Sequence, residues 1–130
     1  MSISSEVSKK GFIKYIGGIE FKKKSENNFE FISKVQKFNL NSSGISHGGY
    51  LASILDSGMG SAAHKIIDEG KRCVTISLDI KFISTSKEND ILIGKVVISK
   101  KTQSLIFVEA KLFNSEQVIA TACGIWKILK

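Results

Sequence analysis

At 130 residues, 42% of them hydrophobic and spread in short runs, the chain is long enough to bury one core and too short for two, so one domain over 1–130 is expected. No run approaches the eighteen or so apolar residues of a membrane-spanning helix, and no membrane association is expected. A formal charge of +7 suits an anionic partner, but the lysines are scattered apart from 22–24 and 100–101, and no basic strand rich in aromatic residues offers the base-stacking platform of a nucleic-acid binder.

The opening MSISSEVSKKGFIKYIGG lacks the basic start, apolar stretch and small-residue cleavage site of an export signal, which makes the cytoplasm the expected location. Ser4 to Tyr15 reads as a short leading helix. IEFKKKSENNFEFISKVQ then reads as two strands joined at the turn-forming Ser25-Glu26-Asn27-Asn28. A long helix is predicted from about Ser46 to about Ile67, with Gly70 as a stop. In VTISLDIKFIS, strict alternation puts Val74, Ile76, Leu78, Ile80 and Phe82 on one buried face, and Thr75, Ser77, Asp79 and Lys81 on the other. Three further strands follow, separated by turns at 100–103 and 114–116. Short turns in place of helical crossovers imply an antiparallel sheet with the long helix against its concave face, an α+β domain. Cys73 and Cys123 have no CxxC spacing and no close histidine, so both read as small buried hydrophobes, and no metal or cofactor is indicated.

Asp56 is the anomaly in the long helix. Aspartate is poor in a helix interior, where its side chain competes for backbone hydrogen bonds. At about 100° per residue its stripe holds Gly49, Ala52, Ser53, Gly60 and Ala63, all small, as a close approach of another backbone or a ligand requires. As a structural residue Asp56 would cap a loop or pair with a lysine. As a catalytic carboxylate it would serve acyl transfer to water, and Ser46-His47-Gly48-Gly49 upstream favours this: helix-start N–H groups without partners suit an oxyanion. Gly48 and Asp56 are eight residues apart, about 12 Å along a helix axis, so one helix cannot bring both to one carbonyl. Two helices packed antiparallel by a twofold would form two complete sites, each with Gly48 from one subunit and Asp56 from the other.

The pattern N41-x5-H47-G48-G49-x6-D56, followed by V74-T75-x-S77-L78-D79-I80, resembles the hotdog-fold acyl-CoA thioesterases of the phenylacetate-degradation (PaaI-like) type over roughly Ile19 to Trp126. The resemblance implies a long helix wrapped by an antiparallel sheet, acyl-CoA as substrate, dimers with sites at the interface, and usually tetramers made of two dimers. By position it implies Asp56 as general base or nucleophile and Gly48 as the N–H holding the thioester oxygen. It implies Asn41 as the residue placing thioester or water, with His47 adjoining it, and Thr75 as a hydroxyl assisting the carboxylate from the facing subunit. For His47 a structural role, as a helix-start side chain hydrogen-bonded to a loop, stands beside direct chemistry, and His64 reads as structural or surface. This chain has Phe82-Ile83-Ser84-Thr85-Ser86 where many members have a proline after the strand. The acyl pocket floor is expected from Leu51, Leu55, Met59 and Phe82, and the CoA phosphates from lysines such as Lys81, Lys100, Lys101 and Lys127. A non-catalytic acyl-CoA-binding module is the alternative, disfavoured because a carboxylate gains nothing in holding a polyanion. A hotdog dehydratase would show other motifs, one of them containing proline, and the chain has none.

Overall fold

The computed structural model describes residues 6–7 and 11–130. In chain order the elements are β1 (Glu6–Val7), α1 (Gly11–Tyr15), β2 (Glu20–Ser25), β3 (Asn28–Lys34), a 3-10 turn (Lys37–Asn39), α2 (Gly48–Lys65), β4 (Arg72–Phe82), β5 (Ile91–Lys101), β6 (Leu105–Phe113) and β7 (Val118–Leu129). All strand pairs are antiparallel, in the order β1-β2-β3-β5-β6-β7-β4. The hairpin, the central helix and the four later strands are those expected, and the antiparallel sheet around one helix is the hotdog architecture that the resemblance implied. The leading helix is shorter than expected: Glu6–Val7 pairs with β2 as a strand, only Gly11–Tyr15 is helical, and the rest of that stretch lies outside the described residues. Gly70 does not cap α2, which ends at Lys65; its positive φ of 85° serves the turn closed by Lys71 N–H on the Asp68 carbonyl.

The helix-facing side of the sheet alternates cleanly. Phe29 and Phe31 of β3, Leu92 and Val96 of β5, Ile106, Val108 and Leu112 of β6, and Trp126 of β7 are all buried against Ile54, Leu55 and Met59 of α2. Two glycines make this packing possible. An added Cβ on Gly58 of α2 would fall 2.2 Å from the Phe31 ring, and one on Gly94 of β5 would fall 2.0 Å from it, so the ring occupies the space of two missing side chains. No helix among the described residues is long and apolar enough to cross a membrane.

β4 departs from the alternation read in its sequence. Its register against β7 slips between Thr75 and Ser77: Thr75 stands opposite Trp126, which faces α2, whereas Ser77 stands opposite Ile125. Cross-strand partners share a face, so the bulge at Ile76 reverses the phase of the strand. Thr75 joins Leu78, Ile80 and Phe82 on the helix side, while Val74 pairs with Lys127 on the outer side. The face expected to be buried is therefore split. Val74, Ile76 and Phe82 are exposed, because among the described residues β4 forms one edge of the sheet and no strand pairs with its free side. Cys73 is buried as expected, and burial pushes its thiol up; Cys123 is exposed instead, pointing outward between Asp79 and Glu109 of the neighbouring strands.

Candidate active site

The start of α2 accounts for each of its first amides. His47 is the N-cap, with extended backbone, and its Nδ1 accepts from Gly49 N–H at 2.8 Å. Tyr50 and Leu51 N–H both donate to the His47 carbonyl, and His47 N–H donates to the Asn39 carbonyl. Among the described residues that leaves Gly48 N–H, alone in the first turn, without an acceptor. The two glycines thus differ in purpose. A Cβ on Gly49 would lie 3.0 Å from His47 Nδ1, so glycine there lets the imidazole fold back onto the helix. On Gly48 it would make only ordinary contact with Phe82, at 3.7 Å.

The loop before the helix is held by asparagines. Asn41 Oδ1 accepts from Ser43 N–H at 2.9 Å and Ile45 N–H at 3.3 Å, closing a turn in which Gly44 takes a positive φ of 81°. The side-chain Nδ2 of Asn41 is the donor those bonds leave over. Asn39, buried, ties three segments together: its Oδ1 accepts from Gln36 N–H, its Nδ2 donates to the Ile16 carbonyl, and its own carbonyl takes His47 N–H. Ser46 is fixed to the loop after β4 twice, by a buried Oγ pair with Ser86 at 2.6 Å and by its N–H on the Ser86 carbonyl. Asn39 and Ser86 were missed in the sequence; a buried asparagine in a turn-rich stretch leaves no local mark of its long-range partners.

Asp56 is half-buried on α2, two turns beyond Gly48, and its Oδ1 accepts from Thr75 Oγ1 at 2.7 Å. This bond lies within one chain, so Asp56 and Thr75 of one subunit go together. The β4 bulge is its cause, since strict alternation would have turned Thr75 away from the helix. The bond occupies one carboxylate oxygen, and Oδ2 remains for other work. His64, near the far end of α2, accepts Cys73 N–H on Nε2 at 3.3 Å and places Nδ1 against the Gly60 carbonyl at 2.9 Å, a strap between helix and strand.

The small-residue stripe is partly used by this chain's own sheet. Ala63 is fully buried, and a Cβ on Gly60 would lie 3.1 Å from Trp126 Nε1. Gly49, Ala52, Ser53 and Asp56 are the part left open. Leu51, Leu55 and Met59, expected as a pocket floor, are buried in the core instead, because the bulky stripe of α2 faces the sheet. Three cavities lie elsewhere: one of about 510 Å³ on the outer sheet face, one of about 190 Å³ beside Ser86, and one of about 440 Å³ lined by Lys71, Lys127 and Lys130 among others. None of the three is lined by Gly48, Asp56 or Thr75. Among the described residues no group of three or more His, Cys, Asp or Glu side chains is placed to hold a metal ion.

Comparison with known proteins bears on this arrangement. The profile of the thioesterase superfamily matches residues 43–121, from the loop before α2 into β7. A proposed esterase of Pseudomonas aeruginosa is 26% identical over 95 residues, 73% of this chain and 71% of that protein. A thioesterase of Haemophilus influenzae superposes with a TM-score of 0.83 at 13% identity, covering 91% of this chain and 82% of the other. The E. coli PaaI protein from the phenylacetic acid degradation operon gives 0.81 at 19% identity, covering 91% and 83%. A hypothetical thioesterase of Streptococcus pneumoniae, in a structure with coenzyme A, gives 0.77 at 22% identity, covering 85% and 87%. At these identities the three structures speak to the fold.

Proposed function

The chain belongs to the thioesterase superfamily, and from that premise we propose that it hydrolyses acyl-CoA thioesters to the free acid and CoA at sites shared between two subunits. The observation that carries the reading is the pairing of a free helix-start amide, Gly48 N–H, with a carboxylate whose second oxygen, Asp56 Oδ2, is left available by the Thr75 bond. A thioester carbonyl is already electrophilic. What it needs is a donor for the oxygen that gains charge and a group that delivers the attacking oxygen. Gly48 N–H, at the positive end of the α2 dipole, supplies the first. Asp56 supplies the second through Oδ2, by drawing a proton from water or by attacking the carbonyl itself. Collapse of the tetrahedral adduct expels the thiolate of CoA, giving the free acid when water attacked, or, when Asp56 attacked, a mixed anhydride that water then hydrolyses to the acid and the free carboxylate.

Eight residues of helix, about 12 Å of rise, separate the two groups, so each must meet the other from a second copy of the chain. The unpartnered edge of β4 supports such a copy. Ile76 at the bulge and Ile83 just past the strand end are 54% and 57% exposed along it. An edge of this kind is an invitation to pairing, and a twofold there lays two α2 helices antiparallel. A homodimer is the minimum assembly, and a tetramer of two such dimers accords with the family resemblance. For the anionic carrier group, Lys127 and Lys130 at the 440 Å³ cavity are the candidates, since Lys71 on the same rim and Lys81 are already paired, with Asp68 at 3.5 Å and Asp79 at 3.2 Å.

The test is Asp56→Asn with a panel of acyl-CoAs and release of free thiol as readout. An asparagine keeps an oxygen able to accept from Thr75, so fold and substrate affinity are retained, while kcat falls by about a hundredfold or more. Unchanged turnover in this variant rejects the assignment, and a loss of stability without a specific loss of turnover returns Asp56 to a structural role.

A further inference from the structure

We propose that Phe82 is a specificity-determining residue of this site, its ring forming the wall against which the substrate carbons next to the thioester carbonyl pack; the inference rests on Gly48 as the oxyanion donor. β4 and α2 run side by side in opposite directions. Cys73 meets His64, Thr75 meets Asp56, and Phe82, the last residue of the strand, meets Gly48. The approach is close, since Phe82 Cζ and Cε1 lie 3.7 and 3.8 Å from the position a Gly48 Cβ would take.

Despite this contact the ring is 54% exposed. Isolated apolar side chains on a surface need no explanation. This one touches the residue whose N–H is the unpaired donor of the helix start, so a carbonyl oxygen bound there brings its neighbouring carbons within reach of the ring. The fold itself makes no demand for the open space between them. Gly48 does not have a positive φ, and a methyl group on it would meet the ring at an ordinary distance. A phenyl ring neither titrates nor holds a phosphate. What it offers is apolar area, and the apolar atoms closest to a thioester carbonyl are the α-carbon of the acyl group on one side and the methylene beyond sulfur on the other. The β4 bulge contributes here as well, because it sets the phase that turns Phe82 and Thr75 to the same side of the strand.

The experiment compares wild type, Phe82→Leu and Phe82→Ala on acyl-CoAs from acetyl to long-chain and on an aromatic acyl-CoA, with kcat and KM separated, free CoA binding measured and melting temperature recorded. The expected result for Phe82→Ala is a fall in kcat/KM of about tenfold or more carried mainly by KM, with Leu recovering part of it for aliphatic substrates. If the ring packs on the acyl side, the loss varies with the acyl group and CoA affinity is unchanged; if it packs on the thiol side, the loss is uniform and CoA binds more weakly by a similar factor. Substrate profiles that match wild type in both variants overturn the proposal, as does a drop in melting temperature with a uniform loss of kcat and unaltered KM. Asp56→Asn keeps the two readings apart: a dead Asp56→Asn with a neutral Phe82→Ala removes only the role of Phe82, whereas a wild type that hydrolyses no acyl-CoA removes both.

Discussion

His47 and the two glycines after it divide their work atom by atom. The imidazole Nδ1 is spent on Gly49 N–H, which fixes the ring proton of a neutral His47 on Nε2 and makes the residue a cap first. Gly48 is left with one function that its neighbours do not explain, a bare N–H. Proline tests that function with little collateral change. It is favoured at the first position of a helix, it removes the N–H alone, and it needs an extended residue before it, which His47 provides at φ −66° and ψ 135°. Gly48→Pro is therefore expected to keep stability within about 0.5 kcal/mol in chemical denaturation, as a substitution that breaks no packing does. Its kcat should fall by about a hundredfold or more, the cost of one oxyanion donor. Full activity in a folded Gly48→Pro protein would mean that the oxygen is held elsewhere.

At the scale of elements, the hairpin, α2 and the last three strands were legible because their signals are local. Turn residues sit between apolar runs, and on β3, β5, β6 and β7 the alternation matches burial nearly residue for residue. β4 was misread for a physical reason: the one extra residue at Ile76 inverts the phase, and VTISLDIKF contains no glycine or asparagine to announce it. Asp56 and the HGG run were visible as anomalies of composition, whereas Thr75 came into view only through family resemblance, since its pattern alone placed it on the wrong face. Gly58 went unnoticed in the sequence, because its cause, the Phe31 ring, lies in another element. Two effects compete there. Gly58→Ala gains about 1 kcal/mol of helix propensity. It also drives a Cβ to 2.2 Å from a ring that cannot retreat, because Gly94 is already closed against its other side, and overpacking of this kind costs about 1–3 kcal/mol. Because the clash is with both elements at once, it wins, and the melting temperature should fall by about 3–10 °C. Adding Phe31→Leu to Gly58→Ala should recover part of that loss in a double-mutant cycle, and purely additive effects would show that the sandwich is not its cause.

For the whole molecule, the question is whether one chain holds a working site. Within the chain, Asp56, held by Thr75 of β4, lies at the middle of α2, and His47 and Gly48 at its start, about 12 Å of helix away, with Asn41 in the loop before it. β4 carries Thr75 beside Asp56 and ends with Phe82 near Gly48, so one twofold contact along its edge is expected to bring each group to its counterpart. Subunit mixing tests this without a structure of the assembly. Asp56→Asn and Gly48→Pro are each expected to be nearly inactive alone. In a mixed dimer, one site takes wild-type Gly48 from the first subunit and wild-type Asp56 from the second, and the other site carries both lesions. Heterodimers should therefore recover about half of the wild-type activity, and a fully exchanged equal mixture, in which about half of the dimers are mixed, about a quarter. Native mass spectrometry reports the exchange, and turnover should rise in step with the heterodimer peak. If the mixed species forms and activity stays at the level of the single variants, each site is confined to one chain, and the free amide of Gly48 and the carboxylate of Asp56 do not act on the same carbonyl.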